Sequence, residues 1–532
     1  MAGPSGRTEP PPMPSFLRAP LASLVVLGSL LAPLLLGASP TRGDETLATF
    51  KKYYATYKDT PSRVEAILTL EGHEDAEIVE VLLPKLKEAD SEIVRAVVRV
   101  YSGFKSKPAV DALLATLKSD KTEAVRVGIL RAFAEGKFSE TGPAVQACLA
   151  DKSWEVRRRA VQAIHASGRT DAAGLIAPLC TDPEAAVKCT ALDALTELGS
   201  EKVVAPSIAD LGDATWQVRK SAITALTKVR SADAVEPLIK TLEKEQGVLV
   251  PDIAEALACL TGQDLGADAE KWKAWWPGAK ATFTLPSAEA IAYLRTKHEA
   301  RTGGPPREYQ KTGTVEYHGI DTPSRAILFI IDVSGSMESV VTEKERFESG
   351  HYPSYSRIDI VKTELQRTID HLEPFVNFNI IAFATDVDFW KKQLVPANVL
   401  NKSAAKDWAA HLVAIGGNSK EDLAAVGLAG SSNLDKGKTN TYGALMAALS
   451  VKPGARTGEK GYAVEVDTIF FLSDGRPTVG EFVDPDDILR EVLAANELRK
   501  VKIHTIAIGE FQKDFMRKIA EKTGGVFVDL GK

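Results

Sequence analysis

The chain has 532 residues, of which 44% are hydrophobic and 26% charged, and its formal net charge is −6. This length exceeds what a single hydrophobic core supports and predicts two to four domains. The composition excludes a largely disordered chain, a collagen and a protein built mainly of membrane helices. The acidic balance gives no overall positive field for nucleic acid or anionic lipid, so nucleic acid is not an expected partner.

The N-terminal segment, residues 1–43, has the pattern of an export signal. Arg7 and Arg18 precede an almost continuous apolar run over residues 21–36, and small residues follow. A basic start, an apolar stretch and a small-residue exit are typical of a secretory signal. An uncleaved anchor is the alternative, because about 20 apolar residues can span a bilayer. We therefore expect a secreted, cell-envelope or periplasmic protein that meets a membrane only through this segment, if the segment is retained.

The four cysteines stand in the first half of the chain, and none has a Cys-x-x-Cys or zinc-binding spacing. A Cys180–Cys189 bridge is open as an interpretation in an oxidising compartment. We prefer the interpretation that all four are small buried side chains, because so few cysteines cannot form a disulfide scaffold.

Residues 44–279 contain a repeat. Aspartates recur at intervals of 30 or 31 residues, and a valine followed by a basic residue comes soon after most of them. Each aspartate is a candidate helix N-cap, and the apolar residues behind it are spaced three and four apart, which predicts one buried helical face. Two short helices per unit must stack on their neighbours to bury their apolar surface. The aspartates are Asp59, Asp90, Asp120, Asp151, Asp182 and Asp213.

This pattern resembles the HEAT repeat in its short bacterial form, which implies an all-α solenoid that binds protein partners along its surface. The basic row of Arg126, Arg157, Lys188 and Arg219 is interpreted as a structural ladder that pairs with repeat aspartates and carbonyls; an anion-binding stripe is the alternative. The tryptophan-rich segment 271–276 is expected to cap the last repeat, with a carbohydrate platform as the alternative. This ending resembles one seen after HEAT arrays in exported planctomycete-type bacterial proteins.

A linker, residues 280–313, is expected to separate the array from residues 314–532, where strand-like and helix-like segments alternate. The apolar run 326–331 predicts a central parallel strand. Alternation of this kind predicts a doubly wound, Rossmann-like α/β sheet with its site at the carboxyl ends of strands. Further strands are predicted over 379–383, 468–472, 502–508 and 525–529, and helices over 287–301, 358–372, 404–415, 442–449, 485–499 and 512–523.

Acidic and hydroxyl side chains gather at the predicted strand ends. Asp332, Ser334 and Ser336 follow the first strand, Asp474 follows a later strand, and Thr439 lies in a loop that enters a helix. Two carboxylates and three hydroxyls are hard oxygen donors, which suit Mg²⁺ or Mn²⁺ rather than zinc or copper. Ser334 and Ser336 as helix-capping residues and Asp474 as a turn residue are the alternative interpretation.

The segment resembles the von Willebrand factor type A domain with a metal-ion-dependent adhesion site. The family signature D-x-S-x-S is complete at Asp332, Ser334 and Ser336, the family threonine maps onto Thr439 with Thr441 as the alternative, and the later aspartate maps onto Asp474. The resemblance implies that the two serines and the threonine bind the ion while the aspartates act directly or through water. It also implies one open coordination position for the Asp or Glu carboxylate of a protein partner.

The expected function is that of an exported, non-enzymatic binding, adhesion or scaffold protein, with the HEAT repeats as a second protein-interaction surface. A metal-dependent hydrolase is one alternative; it needs a general base beside the ion, and the sequence contains no Walker A, GxSxG or HExxH motif. RNA binding is the other alternative, because the Ro RNA-binding autoantigen also joins helical repeats to a type A domain. It requires a basic band along the repeats.

Overall fold

The computed structural model describes residues 42–139, 142–293, 296, 315–416, 437–450, 464–509 and 513–530. The predicted export signal, most of the predicted linker and most of the loop before Thr439 lie outside these residues. Within the described part of the chain, no helix is both long enough and apolar enough to cross a bilayer.

In the first half, the described residues form helices joined by short loops. Helices α2, α4, α6, α8, α10, α12 and α14 pack side by side in that order, and the second helix of each unit fills the space behind them. The helices are α1 (Arg42–Tyr53), α2 (Thr60–Leu68), α3 (Ala76–Leu82), α4 (Ser91–Ser102), α5 (Lys107–Ser119), α6 (Glu123–Glu135), α7 (Gly142–Ala147), α8 (Trp154–Ala166), α9 (Ala172–Ile176), α10 (Ala185–Glu197), α11 (Val204–Asp210), α12 (Trp216–Lys228), α13 (Val235–Leu242), α14 (Val250–Thr261) and α15 (Ala269–Ala279).

The repeated valine that precedes each basic residue is part of the core. The side chains at these five positions are at most 5% exposed, which confirms the helical face predicted from the spacing. The members of this set are Val94, Val125, Val156, Val187 and Val218.

The repeat aspartates cap helices in two different ways. Asp59 and Asp90 are N-caps, as predicted. In the later units the N-cap is the residue two positions further on, such as Ser153 or Thr215. The aspartate there accepts from the backbone N–H two residues ahead, at 2.8 Å for Asp151. In both arrangements the carboxylate can also bind a neighbouring unit, since Asp90 accepts from the Thr60 hydroxyl and Asp182 accepts from Arg157.

That neighbouring contact is a charge ladder, as the sequence predicted. Arg157 binds both carboxylate oxygens of Asp182, at 2.7 Å each, and donates to the Asp151 carbonyl at 2.8 Å. Lys188 repeats the contact with Asp213 one unit later. In each pair the basic residue stands at the same position of its repeat, and its acidic partner comes 25 or 26 residues later. The ladder therefore fixes the spacing between neighbouring units. The other pairs are Arg126 with Asp151 and Arg219 with Glu245.

We expect Arg157→Gln to destabilise the array by about 3 kcal/mol, because it leaves the Asp182 carboxylate unpaired in a largely buried position. Lys107→Gln is the matched control, since Lys107 and Asp111 form a solvent-exposed pair whose loss should cost under about 0.5 kcal/mol. Urea denaturation followed by tryptophan fluorescence measures both. Equal effects of the two substitutions would contradict a structural role for the ladder.

The tryptophan-rich segment closes the array. Trp272 is fully buried against the last repeat and donates from its indole N–H to the Gly266 carbonyl at 2.8 Å. Trp276 is also buried in this cluster. The segment is therefore the hydrophobic cap that the sequence predicted. The four cysteines are buried free thiols, and the structure contains no Cys180–Cys189 bridge.

The second half is an α/β unit with a mixed, mainly parallel sheet. The strands run in the order β5-β4-β3-β7-β8-β9; β5 and β6 pair antiparallel with β4, and the other neighbours are parallel. A small hairpin, β1 with β2, precedes the sheet. The strands are β1 (Val315–Tyr317), β2 (Ile320–Thr322), β3 (Ala326–Asp332), β4 (Asn377–Phe383), β5 (Val387–Phe389), β6 (Val395–Pro396), β7 (Thr468–Ser473), β8 (Lys502–Ala507) and β9 (Phe527–Asp529).

Helices cover both faces of this sheet, and apolar clusters lie on each side of it. The fold is therefore the doubly wound α/β arrangement that the alternation predicted. The helices are α16 (Arg357–His371), α17 (Val399–Ala410), α18 (Thr441–Ala448), α19 (Pro485–Arg499) and α20 (Lys513–Thr523).

One helix prediction is displaced. Residues 404–415 were predicted helical, whereas α17 begins at Val399, because the side chain of Asn398 accepts from the Asn401 N–H and caps the helix. The first apolar residues of this helix, Val399 and Leu400, are exposed, so the start of the helix does not continue the spacing of a buried face. The short strands β1, β2, β5 and β6 were not predicted, because a strand of two or three residues is too short to show a recognisable alternation of apolar and polar residues. The predicted helix 287–301 is seen over 288–293, and most of its remainder lies outside the described residues.

The two halves contact each other through charged side chains. Lys500, at the end of α19, binds Asp193 of α10 at 2.7 Å, and Lys502 reaches Asp252 of α14 at 3.3 Å. Arg95 of α4 occupies the row position that would extend the ladder, but it binds Glu491 of α19 at 3.2 Å. The face formed by the first helices of the repeats is therefore covered in part by the chain's own α/β unit.

We expect Asp193→Lys alone to loosen this contact, because it places like charges opposite each other, and Asp193→Lys with Lys500→Asp to restore it. Lys500 has a φ of 55°, a conformation that aspartate tolerates well. Small-angle X-ray scattering should show a larger radius of gyration for the single variant and a wild-type value for the double variant. An unchanged single variant would show that this ion pair does not hold the halves together.

Candidate metal centre

The candidate site lies where two adjacent parallel strands end. Asp332 is the last residue of β3, and Asp474 directly follows β7. After β3 the chain builds β4 on one side and later returns to build β7 on the other. This is the topological switch point, at which doubly wound sheets leave a crevice outside the carboxyl ends of their strands. The sheet topology therefore brings the two carboxylates to one crevice.

Asp332 is completely buried. One carboxylate oxygen accepts from the Ser334 backbone N–H at 2.8 Å, and the other accepts from the Ser473 hydroxyl at 2.6 Å. Burial raises the pKa of Asp332, and the negative charge of Asp474 raises this pKa further. The hydrogen bonds act in the opposite direction without cancelling the effect. Asp332 is thus a carboxylate whose charge the protein compensates incompletely.

The two serines of the predicted signature connect the carboxylates. The Ser334 and Ser336 hydroxyl oxygens lie 3.2 Å apart, and the Ser336 hydroxyl donates to Oδ1 of Asp474 at 2.7 Å. Asp332, Ser334 and Asp474 are at most 1% exposed, whereas Ser336 is exposed. The cluster therefore opens to solvent on the side of Ser336.

Thr439 reaches the same place from a third loop. A Cβ atom built on Gly475 would lie 3.4 Å from both the Ser336 and the Thr439 hydroxyl oxygens, so the missing side chain at Gly475 leaves space beside both groups. The Thr439 backbone N–H donates to the Thr478 hydroxyl at 2.8 Å, and its carbonyl accepts from the Thr478 N–H at 2.9 Å. Thr441, the alternative, is a buried residue at the start of α18.

Two further residues contact the cluster, and sequence reasoning missed both. Ser473 hydrogen bonds to Asp332, and Arg357 forms an ion pair with Asp474, with 2.6 Å between Nη1 and Oδ2. Ser473 directly precedes Asp474, so its position at the strand end could have indicated its role. Arg357 offered no such signal, because it comes 21 residues after Ser336 and opens a different element.

The donor set fits a hard divalent ion. It contains two carboxylates and three hydroxyls in one crevice, and soft ligands are absent from it. Among the described residues, no group of three or more His, Cys, Asp and Glu side chains is arranged to hold a metal. Any ion bound at this site would therefore depend on the serine and threonine hydroxyls as well as on the two aspartates.

Known proteins resemble each half of the chain. A family model described as HEAT repeats matches residues 141–206. The chain is 28% identical to human inter-alpha-trypsin inhibitor heavy chain H4 over 209 residues, which are 39% of this chain and 18% of that protein. It is 26% identical to human von Willebrand factor A domain-containing protein 3A over 204 residues, 37% of this chain and 13% of that protein.

Among solved structures, an aerotolerance-related membrane protein from Bacteroides fragilis matches with 14% identity and a TM-score of 0.24, covering 38% of this chain and 90% of that chain. For the two human relatives, the matched part of this chain spans less than a fifth of the length of each protein. Together, the helical repeats, the α/β sheet and the sequence similarities support an architecture of HEAT repeats followed by a type A domain.

We expect Asp332→Asn to stabilise the metal-free protein by about 1 to 3 kcal/mol, because it removes an incompletely compensated buried charge and its repulsion from Asp474. The asparagine oxygen can still accept from the Ser334 N–H, and its amide can donate to the Ser473 hydroxyl. Urea denaturation in EDTA measures the change, with Asp321→Asn on the exposed side of β2 as the control. A clear loss of stability would mean that the carboxylate is a structural group.

Proposed function

We propose that this chain is an exported, non-enzymatic binding protein whose α/β domain uses Mg²⁺ or Mn²⁺ to capture an acidic protein partner. The ion would be held by Ser334, Ser336 and Thr439, with Asp332 and Asp474 acting directly or through water. When bound, such an ion offers an open coordination position to a carboxylate oxygen of the partner. The similarity to a protein named for its type A domain supports a role in protein interaction.

One observation carries this proposal: oxygen atoms from three separate loops meet in one crevice. The loop after β3 supplies Ser334 and Ser336, the loop after β7 supplies Asp474, and the segment before α18 supplies Thr439. Backbone hydrogen bonds hold these loops together. The Gly335 N–H donates to the Gly437 carbonyl at 3.2 Å, which ties the serine loop to the threonine loop.

The shape of the crevice supports recognition of a ligand from outside. Asp332, Ser334 and Thr439 form a buried floor, and Ser336 lies at the exposed rim. A floor of this kind holds an ion firmly, while the rim leaves room for a side chain of a partner. An aspartate or glutamate carboxylate has the charge and the hard oxygen donors that such an ion prefers.

The repeat array is proposed to act as the scaffold that carries this domain. The face of its first helices is partly covered by contacts to the α/β unit, such as Trp216 Nε1 to the Val464 carbonyl at 3.3 Å. A second protein partner on the repeats would therefore bind the uncovered part of this face or the face formed by the second helices of the units.

Within the described residues, neither alternative function gains support from a specific contact. RNA binding needs a free basic band along the repeats, but Arg126, Arg157, Lys188 and Arg219 are each paired with a carboxylate. Hydrolysis needs a general base beside the ion. Among the described residues, the charged side chain in contact with Asp474 is that of Arg357, and a guanidinium group offers hydrogen-bond donors but no acceptor.

The proposal is tested with a library of short peptides, each carrying a single Asp or Glu, and a matched library with Asn or Gln. The immobilised protein should retain acidic peptides in Mg²⁺ and release them in EDTA, while the amide library should not bind. Ser336→Ala should reduce retention at least roughly tenfold, because it removes one ligand from the ion.

Ser354→Ala is the matched control, since Ser354 is an exposed serine outside the cluster, and it should behave as wild type. Retention that is equal in Mg²⁺ and EDTA would refute ion-dependent capture. Retention of both libraries alike would refute recognition of a carboxylate.

A further inference from the structure

The ion pair between Arg357 and Asp474 is the least expected feature of the site. Arg357 is the first residue of α16, where the positive end of the helix dipole disfavours a cation. Its guanidinium nevertheless lies inside the protein: its side chain is 14% exposed and that of Asp474 is 0% exposed. An arginine in this unfavourable place needs a compensating partner, and Asp474 supplies it.

The backbone around Arg357 is arranged to admit it. The Arg357 N–H donates to the Ser339 carbonyl at 2.9 Å, which fixes the start of α16 beside the serine loop. On the other side lies Gly509, just after β8. A Cβ atom there would be 3.4 Å from Cζ of Arg357 and 2.8 Å from the Asp474 carbonyl oxygen. The guanidinium thus occupies space that a side chain at position 509 would restrict.

Arg357 changes the charge of the site. With both carboxylates ionised, Asp332 and Asp474 carry two negative charges, and Arg357 in direct contact with Asp474 leaves a net charge of minus one. A divalent ion would then bring the site to plus one, and one carboxylate of a partner would bring it to zero. Without Arg357 the ion alone would neutralise the site, and a partner's carboxylate would leave an uncompensated negative charge.

We propose that Arg357 is a specificity-determining residue: it weakens the binding of a divalent ion alone and leaves the loaded site with a positive charge that favours a single carboxylate ligand. This inference rests on the proposed function and adds the charge that the ligand must carry. Through its positive charge beside Asp474, Arg357 weakens the binding of the divalent cation and strengthens the binding of the carboxylate ligand.

Calorimetric titration of the full chain with Mn²⁺, with and without saturating acetate, tests this. Arg357→Gln should bind Mn²⁺ alone roughly tenfold or more tightly than wild type, because a nearby positive charge has been removed. Acetate should tighten Mn²⁺ binding in wild type, and this coupling should shrink in Arg357→Gln. Arg357→Lys keeps the charge and should stay within about threefold of wild type.

Arg367→Gln is the matched control, because Arg367 lies on the same helix but pairs with Glu364, at 2.7 Å; it should titrate as wild type. Circular dichroism establishes that each variant is folded. If Arg357→Gln weakens Mn²⁺ binding, as Asp474→Ala should, Arg357 serves to hold Asp474 in place and the charge inference is wrong. If wild type binds no Mn²⁺ at all, the proposed function fails and this inference fails with it.

Discussion

The α/β half depends on one constraint: two carboxylates must be accommodated side by side at the ends of adjacent parallel strands. β3 and β7 must pair to complete the sheet, and their pairing brings Asp332 and Asp474 into one buried crevice. Like charges in a buried place are costly unless they are compensated. The surrounding structure supplies hydroxyl donors from Ser336 and Ser473, a backbone N–H from Ser334 and the guanidinium of Arg357. A fold that keeps such an arrangement accepts a cost in stability, which is typical of functional sites.

In the repeat half, by contrast, the partly buried charges of the ladder are compensated by ion pairs. Its charges are paired from unit to unit, so that each basic residue of the ladder, such as Arg157, meets a carboxylate of the following unit. Arg95 departs from this pattern and binds the α/β half, next to the loop that leads from Asp474 to α19; its guanidinium lies 4.7 Å from the ring centroid of Phe482. One basic position of the repeat array therefore binds the domain that carries the candidate site instead of a neighbouring repeat.

Much of this organisation could be predicted from the sequence, because it depends on periodic patterns. The spacing of the aspartates predicted the stacked helices, and apolar runs such as 326–331 predicted the central strands and hence where Asp332 and Asp474 would meet. What could not be predicted depends on contacts between distant positions. Arg357 meets Asp474 across 117 residues, and Lys500 meets Asp193 across 307; neither pair has a local signature. The start of α17 was missed for another reason, since its cap is polar and its first apolar residues face solvent.

The central claim is that one divalent ion joins the oxygen atoms of the three loops. Crystals of the protein soaked in Mn²⁺, with anomalous difference maps recorded at the manganese edge, test it directly. We expect one strong peak at coordination distance, about 2.1 Å for an ion of this kind, from the hydroxyl oxygens of Ser334, Ser336 and Thr439. A map without a peak in this crevice, at Mn²⁺ concentrations that saturate other known sites of this type, would contradict the claim.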